Sequence, residues 1–418
     1  MSRARTSALA ATAVLAGTLA SAPVAALELR RGDARLELTG QLRSLFTFTR
    51  DLGTERLFVD GSTRRGDAGL WLTRGRLEAL AYWRDWLRAG VTYDQEFLTG
   101  SGLDGLGVEV GRATGNRTWA DLDRDLSDRE DLLWRHLIYR GWIQLEGHGA
   151  ELTLGRQRIP LGKARLWNPT DLFNPIGPLA IESDQRIGQD AARLRLRIRR
   201  GLWIEGIWSP QDSPDDHRFA TRIELTRRRV DASLMVGRFR RDRVLGADLA
   251  VNWKGATLRS EATLTDLDRG RQIWQVVFGG DYTVGWGAGL YVLVEHFYDE
   301  NRISRTALSG SALGGLGVKA GVKLLGRLQA DTFDRFAHVG RHQTGVGLGY
   351  DLTPLWRADL LTLYDWSGPS AIFAPVLTWS ARANLEVSAS AQLSLGRDEQ
   401  SDYGKLPPLL ILRADWFF

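Results

Sequence analysis

The sequence contains no cysteine, which excludes disulfide frameworks and cysteine-ligated metals. Lysine is nearly missing too. Of 55 basic residues only those at 163, 254, 319, 323 and 405 are lysine, leaving 50 arginines, a bias that a GC-rich genome produces without selection for function. Long apolar runs are confined to one place: a spanning helix needs about 20 consecutive apolar residues, and only Ala8 to Ala26 approaches that length. The chain is not a helical membrane protein. A charge excess of one sign is lacking as well. The net charge of +5 falls to +3 without Arg3 and Arg5, a small surplus spread over both signs that excludes a nucleic-acid-binding composition.

Enzyme signatures are mostly absent. There is no GxSxG and no HExxH. Gly100, Gly102 and Gly105 match GxGxxG but follow Thr99 in a loop and open no helical pattern, and Gly162 with Lys163 is followed by Ala164 rather than Ser or Thr. The six histidines, at 136, 148, 217, 296, 338 and 342, show no metal-ligand spacing. Asp121, Asp123, Asp125, Asp128, Glu130 and Asp131 form an acidic cluster, but Leu126 stands where a calcium loop needs glycine, so a solvated loop is expected. No metal and no cofactor are expected.

What remains is a secreted, alternating chain. Arg3 and Arg5, the Ala/Leu/Val core from Ala8 to Leu19, and the small residues before Ala26 have the form of a secretory signal peptide over 1–26, leaving 27–418 as a single domain. Beyond it, apolar and polar residues alternate with period two over about 10 residues at a time. Ala192, Leu194, Leu196 and Ile198 oppose Arg193, Arg195, Arg197 and Arg199; Leu385, Val387, Ala389 and Ala391 oppose Glu386, Ser388, Ser390 and Gln392. Helical amphipathicity would space charges by three and four, so it is excluded. A soluble sandwich would also alternate. Three features favour a membrane barrel: tight turns such as Lys254–Gly255 interleave with long polar loops, tryptophans such as Trp71 and Trp83 sit near strand ends, and the polar faces carry Arg and Glu suited to a wet lumen. The expected fold is all-β: a transmembrane antiparallel barrel of about 18 strands, within a range of 16 to 20, with a loop folded into the lumen. Long loops are expected at 98–131, 158–189 and 300–340, all on the external side.

Two segments carry motifs. The last strand alternates Leu410, Leu412, Ala414, Trp416 and Phe418 against Ile411, Arg413, Asp415 and Phe417; Trp416 and the terminal Phe418 have the form of the signal read by the barrel-assembly machinery. The segment Gly155 to Pro175 leaves a strand and contains two Asn-Pro steps, Asn168–Pro169 and Asn174–Pro175, that force turn or extended geometry. Arg156, Arg158, Lys163, Arg165, Trp167, Asn168, Asp171 and Asn174 are the candidates for a constriction, with Trp167, Leu172 and Phe173 anchoring to the wall. An external loop on the barrel rim is the alternative.

With its Gly155–Arg156–Gln157 strand end and Asn-Pro loop, the chain resembles the porin-type barrels of the alginate-export and related outer-membrane families. The resemblance spans the mature chain in pattern, and Gly155 to Pro175 and the C-terminus in motif. It implies an 18-stranded barrel whose arginine-lined lumen passes an anionic polysaccharide or other solute.

Arg43, Arg74, Arg76, Arg88, Arg193, Arg195, Arg197 and Arg222 fall on the inward faces and are the pore-lining candidates. Adjacent like charges repel unless carboxylates compensate them; Asp94, Glu96, Glu205 and Glu224 are placed to do so. A compensated ladder is structural and an uncompensated one is an anion-selective strip. The expected function is an outer-membrane channel for anionic or polar solutes and not an enzyme. The rivals are a barrel hydrolase with a rim site and a non-conducting scaffold of an export complex. Expected partners are outer-membrane lipid and lipopolysaccharide, the assembly machinery and the solute, and no nucleic acid; the oligomeric state stays open.

Overall fold

The structure is a computed structural model that describes residues 27–49, 56–57, 63–64, 68–100, 119–129, 132–175, 177–182, 188–239, 241–268, 270–300, 340–396, 403–404 and 408–418. Residues 1–26, where a signal peptide is expected, and residues 301–339 of the expected last long loop lie outside the described residues.

Eighteen antiparallel strands close a barrel. In chain order they are β1 Ala34–Thr49, β2 Ala68–Trp83, β3 Leu87–Gly100, β4 Leu132–Gly147, β5 Ala150–Gln157, β6 Gln189–Arg199, β7 Leu202–Ser209, β8 Arg218–Arg227 and β9 Val230–Phe239. They continue with β10 Asp242–Trp253, β11 Ala256–Asp266, β12 Gln272–Val284, β13 Leu290–Asp299, β14 His342–Thr353, β15 Trp356–Asp365, β16 Ser370–Arg382, β17 Leu385–Leu395 and β18 Leu409–Phe417. Each strand pairs with its sequence neighbours. Closure comes from β1, whose one edge pairs with β2 along its length while the other meets β18 from Gln41↔Phe417 to Thr49↔Leu409. The expected count of eighteen holds.

Two short strands extend the sheet beyond the expected set. Leu27–Arg31 pairs back onto Leu38–Ala34, continuing the edge that β18 leaves where Phe418 and Gly40 exchange backbone hydrogen bonds of 2.9 and 2.7 Å. Asp123–Arg129 pairs with Leu132–Leu137 of β4, past the point where the shorter β5 has ended. The acidic cluster is therefore corrected in part. Its middle is strand, because β4 outruns β5 and offers an unpaired edge that any extended segment satisfies.

The alternation produces two unlike faces. On β9, Leu234 and Val236 point outward and are 61% and 57% exposed, while Ser233 and Met235 point inward and are 6% and 3% exposed. The same outward apolar face recurs around the barrel at Leu194, Ile223, Leu245, Leu258, Phe278, Leu377 and Leu412. An exposed apolar surface of that extent requires lipid rather than water. Aromatic residues bound the band at both ends: Trp83, Trp86, Trp253 and the stacked pair Trp356–Trp379 at the tight-turn end, and Trp208, Trp274, Trp366 and the stacked pair Phe97–Trp134 at the other. The tight turns follow from local chemistry. His148–Gly149 and Lys254–Gly255 have positive φ at both positions (51° and 80°, 47° and 89°), the conformation of a type I′ hairpin.

Leu234 lies mid-strand on the outer face, so Leu234→Arg is expected to destabilise the barrel by about 2–4 kcal/mol in urea unfolding from lipid vesicles, and Leu395→Arg, at the edge of the band, by about 0–1 kcal/mol. Equal costs at the two sites would contradict the placement of the band.

Candidate functional site: a loop across the lumen

After Gln157 the chain turns into the barrel instead of rising from it. The first cause is local. Asn168, Pro169, Thr170 and Asp171 form a turn in which the Asp171 N–H donates to the Asn168 carbonyl at 3.0 Å, with proline at the position whose fixed φ suits it. Asn174 then ties the two arms together, its Oδ1 accepting the Ile159 N–H at 2.8 Å. Asp171 Oδ1 accepts the Asn174 N–H at 3.2 Å.

The second cause is apolar. Ile159, Leu161, Leu172 and Phe173 are buried against Ile207, Met235, Phe239 and Val244 of the wall, and Phe173 meets Phe239 edge-on at 5.0 Å. Further on, Trp167 is fully buried and stacks on Phe297 of β13 at 5.6 Å. The wall leaves room for this. On β14 a Cβ at Gly345 would lie 2.2 Å from Leu166 Cδ1 and 3.1 Å from the Trp167 ring, so any side chain there would have to displace Leu166.

The third cause is two wall carboxylates that point inward and accept the loop's backbone. Glu261 of β11 accepts N–H donors from Lys163 (2.5 Å), Ala164 (2.6 Å) and Thr170 (3.3 Å) and the Thr170 hydroxyl (2.7 Å). The Asn168 side-chain amide, oriented with its nitrogen toward the same carboxylate, donates to Glu261 Oε1 at 3.1 Å. Two strands away, Glu295 of β13 accepts the Arg165 and Leu166 N–H groups at 2.7 and 2.8 Å. Gly162, at φ +86°, passes so close that a Cβ would lie 2.6 Å from Glu261 Oε1. Loop amides with no sheet partner are thus satisfied by buried carboxylates.

The loop's charges fall into two groups. Arg156 is not on the solute side: it is buried in the wall, bridging Asp190 at 2.9 Å and the Ile138 carbonyl at 3.1 Å. Lys163 is held by Asp231 at 2.8 Å, with Glu224 at 3.5 Å. Trp167, Asn168, Asp171 and Asn174 are buried anchors. Arg158 and Arg165 are exposed, and among the described residues no carboxylate pairs with the Arg165 guanidinium.

Of the eight inward candidates all but Arg197 meet a carboxylate among the described residues; Asp94, Glu96, Glu205 and Glu224 act as expected, and Glu151, Asp248, Asp415 and Glu146, not named for this from sequence, join them. Arg193 is paired with Glu205, and Arg195 with Glu151 at 3.0 Å and Glu224 at 3.7 Å. Arg222 lies 3.5 Å from Asp248 and 3.6 Å from Glu224. Arg76 meets Asp94 at 2.5 Å, Arg74 meets Glu96 at 2.6 Å, and Arg43 meets Asp415 at 2.6 Å. Arg88 makes an exposed pair with Glu146 at 3.2 Å. Arg197 is exposed near the tight-turn end, over the Trp203 ring.

The far end of the loop meets the opposite wall. Leu179 accepts a hydrogen bond from Gln392 of β17 at 3.0 Å. Glu182 lies between Arg43 and Arg74: Oε1 accepts from both, at 2.7 and 2.6 Å, and Oε2 accepts from Arg74 at 2.9 Å. Burial alone would raise the Glu182 carboxyl, but the hydrogen bonds and charges of Arg74 and Arg43 outweigh it and hold it below the usual carboxylate range. Its contribution to docking is therefore complete above that range and is lost only as pH falls through the depressed value.

The closed 18-strand barrel has counterparts among solved structures. OccAB1 of Acinetobacter baumannii aligns with a TM-score of 0.56 at 10% identity, covering 92% of this chain and 96% of that one. A BenF-like porin from Pseudomonas fluorescens Pf-5 aligns at 0.54 and 11% identity over 92% and 98%, and the outer membrane protein OpdK of Pseudomonas aeruginosa at 0.51 and 12% over 92% and 98%. The fold is that of the porin-type barrels. No protein-family model matches the sequence, and no curated protein matches it. The porin-type resemblance thus stands in the fold, among Occ proteins and a BenF-like porin.

Sequence reasoning found the loop, its apolar anchors and the inward arginines. It missed Glu261, Glu295 and Glu182 as the groups that position the loop. Alternation marks the first two as inward-facing, but nothing local marks which inward acid meets a loop amide.

Glu261→Ala would strand three backbone N–H groups and a hydroxyl, each costing about 1–3 kcal/mol if left buried. In the detergent-purified barrel, trypsin is expected to cut after Lys163 or Arg165 at least about tenfold faster than in wild type, while the heat-modifiable barrel band persists. Unchanged cleavage would show that the apolar anchors alone hold the loop.

Proposed function

We propose that the chain is an outer-membrane channel of a Gram-negative bacterium, passing anionic or polar solutes through a lumen narrowed by the loop 158–182. The observation that carries this is the loop itself, fastened across the interior of a closed barrel by buried carboxylates. A scaffold has no use for such a constriction, whereas a selective channel is defined by one. The solute side presents Arg165 and Arg158 from the loop and the ladder Arg193, Arg195 and Arg197 from the wall.

The ladder guides rather than traps. Each of Arg193, Arg195 and Arg222 has a carboxylate within ion-pair reach, so the wall is a mixed-charge surface over which a polar solute exchanges partners, and Arg165 adds the unpaired positive charge at the narrowing. One solved neighbour, OpdK, is described in complex with vanillate, a small aromatic carboxylate, which agrees with a small anion. An acidic polysaccharide, the solute implied by the alginate-export resemblance, carries the same charge but has to thread past Arg165 as an extended chain. The export route by signal peptide and assembly through Trp416 and Phe418 belongs to the same proposal.

Planar-bilayer recordings test it. The wild type is expected to give a steady current whose reversal potential in a salt gradient reports anion preference. That preference is expected to fall about two- to fivefold in permeability ratio on Arg165→Ala, and to shift in the same direction on Arg193→Ala with Arg195→Ala. No current, with the loop intact or deleted, would refute the channel.

A further inference from the structure

The ion-pair patch around Glu182 joins wall arginines to a carboxylate carried by the loop. Arg43, Arg74, Arg76, Arg135 and Arg413 converge on the wall formed by β18 and β1 to β4. Four strand carboxylates answer them: Asp94 to Arg76, Glu96 to Arg74 and Arg135 (2.6 and 2.5 Å), Asp415 to Arg43 and Arg413 (2.6 and 3.1 Å), and Glu386 to Arg413 at 3.7 Å. Glu182 is the fifth carboxylate and the only one of them carried by a loop. It is also the more accessible partner in its contacts, with 21% of its side chain exposed against 3% for Arg43 and 10% for Arg74. The arginines are fixed by Asp415 and Glu96 whatever Glu182 does. If Glu182 withdraws, the patch keeps its geometry and gains one unit of positive charge.

We propose that Arg43 and Arg74 form a carboxylate-binding subsite of the lumen, that Glu182 occupies it as an internal stand-in for the solute, and that a permeating carboxylate binds by exchanging with Glu182. This takes the barrel to be the channel proposed above. The bound form is already visible in outline: a planar carboxylate bidentate to Arg74 shares one oxygen with Arg43, the fork geometry that selects a carboxylate. Exchange replaces each contact with an equivalent one, so the net change is small. A permanently vacant pair of buried arginines would instead hold its anion too firmly for transit, since conduction needs a site that releases as well as binds. A tethered competitor at an effective concentration in the millimolar range weakens the site to the level transport requires.

The test is calorimetric titration of sodium benzoate into the full-length barrel in detergent, with benzyl alcohol as the neutral control. Glu182→Gln should lower the apparent dissociation constant for benzoate at least about tenfold, leave benzyl alcohol unchanged, and lose the gain when Arg74→Ala is added. If Glu182→Gln assembles poorly, Glu182→Asp, one methylene short of Arg74, should move benzoate affinity in the same direction by a smaller factor. Equal benzoate affinity in wild type and both variants would overturn the exchange. A gain shared by benzyl alcohol would also overturn it, showing that the substitution only loosened the loop. Because binding is read without current, a barrel that binds benzoate in this pattern yet passes no ions would sink the channel and leave the subsite standing.

Discussion

The interior of this barrel is organised by a carboxylate meeting backbone amides. Glu261 and Glu295 stand on the wet side of β11 and β13 and accept the N–H groups of a loop that belongs to no sheet. A segment of irregular backbone inside a barrel has to find partners for its amides or leave the interior. Charge-assisted hydrogen bonds are roughly twice as strong as neutral ones, so two well-placed acids suffice where a full strand would otherwise be needed. Everything distinctive about the lumen follows from that docking. It brings Trp167 onto Phe297, carries Lys163 to Asp231, leaves Arg165 facing the open space, and delivers Glu182 to the opposite wall.

The charges of the lumen add position more than stability. A pair of unit charges 4 Å apart gains about 4 kcal/mol at an effective dielectric of 20, while removing each ion from water costs several kcal/mol. The two nearly cancel. What the network supplies is a set of guanidiniums held at fixed points along a passage, each compensated locally so that the barrel tolerates their number. In the proposed channel, a solute anion passing Arg193, Arg195 and Arg222 would meet donors already shared with Glu205, Glu224 and Asp248, so each contact would be weak and interchangeable. The exceptions are the places where the loop takes part, at Arg165 and at the Arg43–Arg74 pair.

The strand count is legible in sequence because a barrel wall imposes period two on every strand; the run from Ala192 to Arg199 leaves no other solution. Turn residues add the parity: Lys254–Gly255 and His148–Gly149 can only be tight hairpins. The short strands Leu27–Arg31 and Asp123–Arg129 are not legible, since the alternation of Leu27 to Arg30 is too short to mark a strand and the acidic run carries none; both are strand because neighbouring edges are open. The same divide runs through the site. Trp167 and Phe173 announce themselves as anchors because large apolar groups in a loop need a wall, and the arginine ladder stands out by spacing. Whether that ladder is compensated depends on register: Arg195 meets Glu205 across β6 and β7, and a shift of one residue would place Glu205 outside. Glu182 is least legible, being an acid in a loop whose partners lie 108 and 139 residues away.

Hydrogen–deuterium exchange of the loop amides in the intact barrel is the most direct test that wall carboxylates fasten this loop. The amides of Lys163, Ala164, Arg165 and Leu166 lie outside every strand, yet they are expected to exchange as slowly as those of the flanking strands β5 and β6, and to become fast together when Glu261 and Glu295 are both replaced by alanine. Exchange at the rate of an open loop in the unmodified barrel would contradict the account.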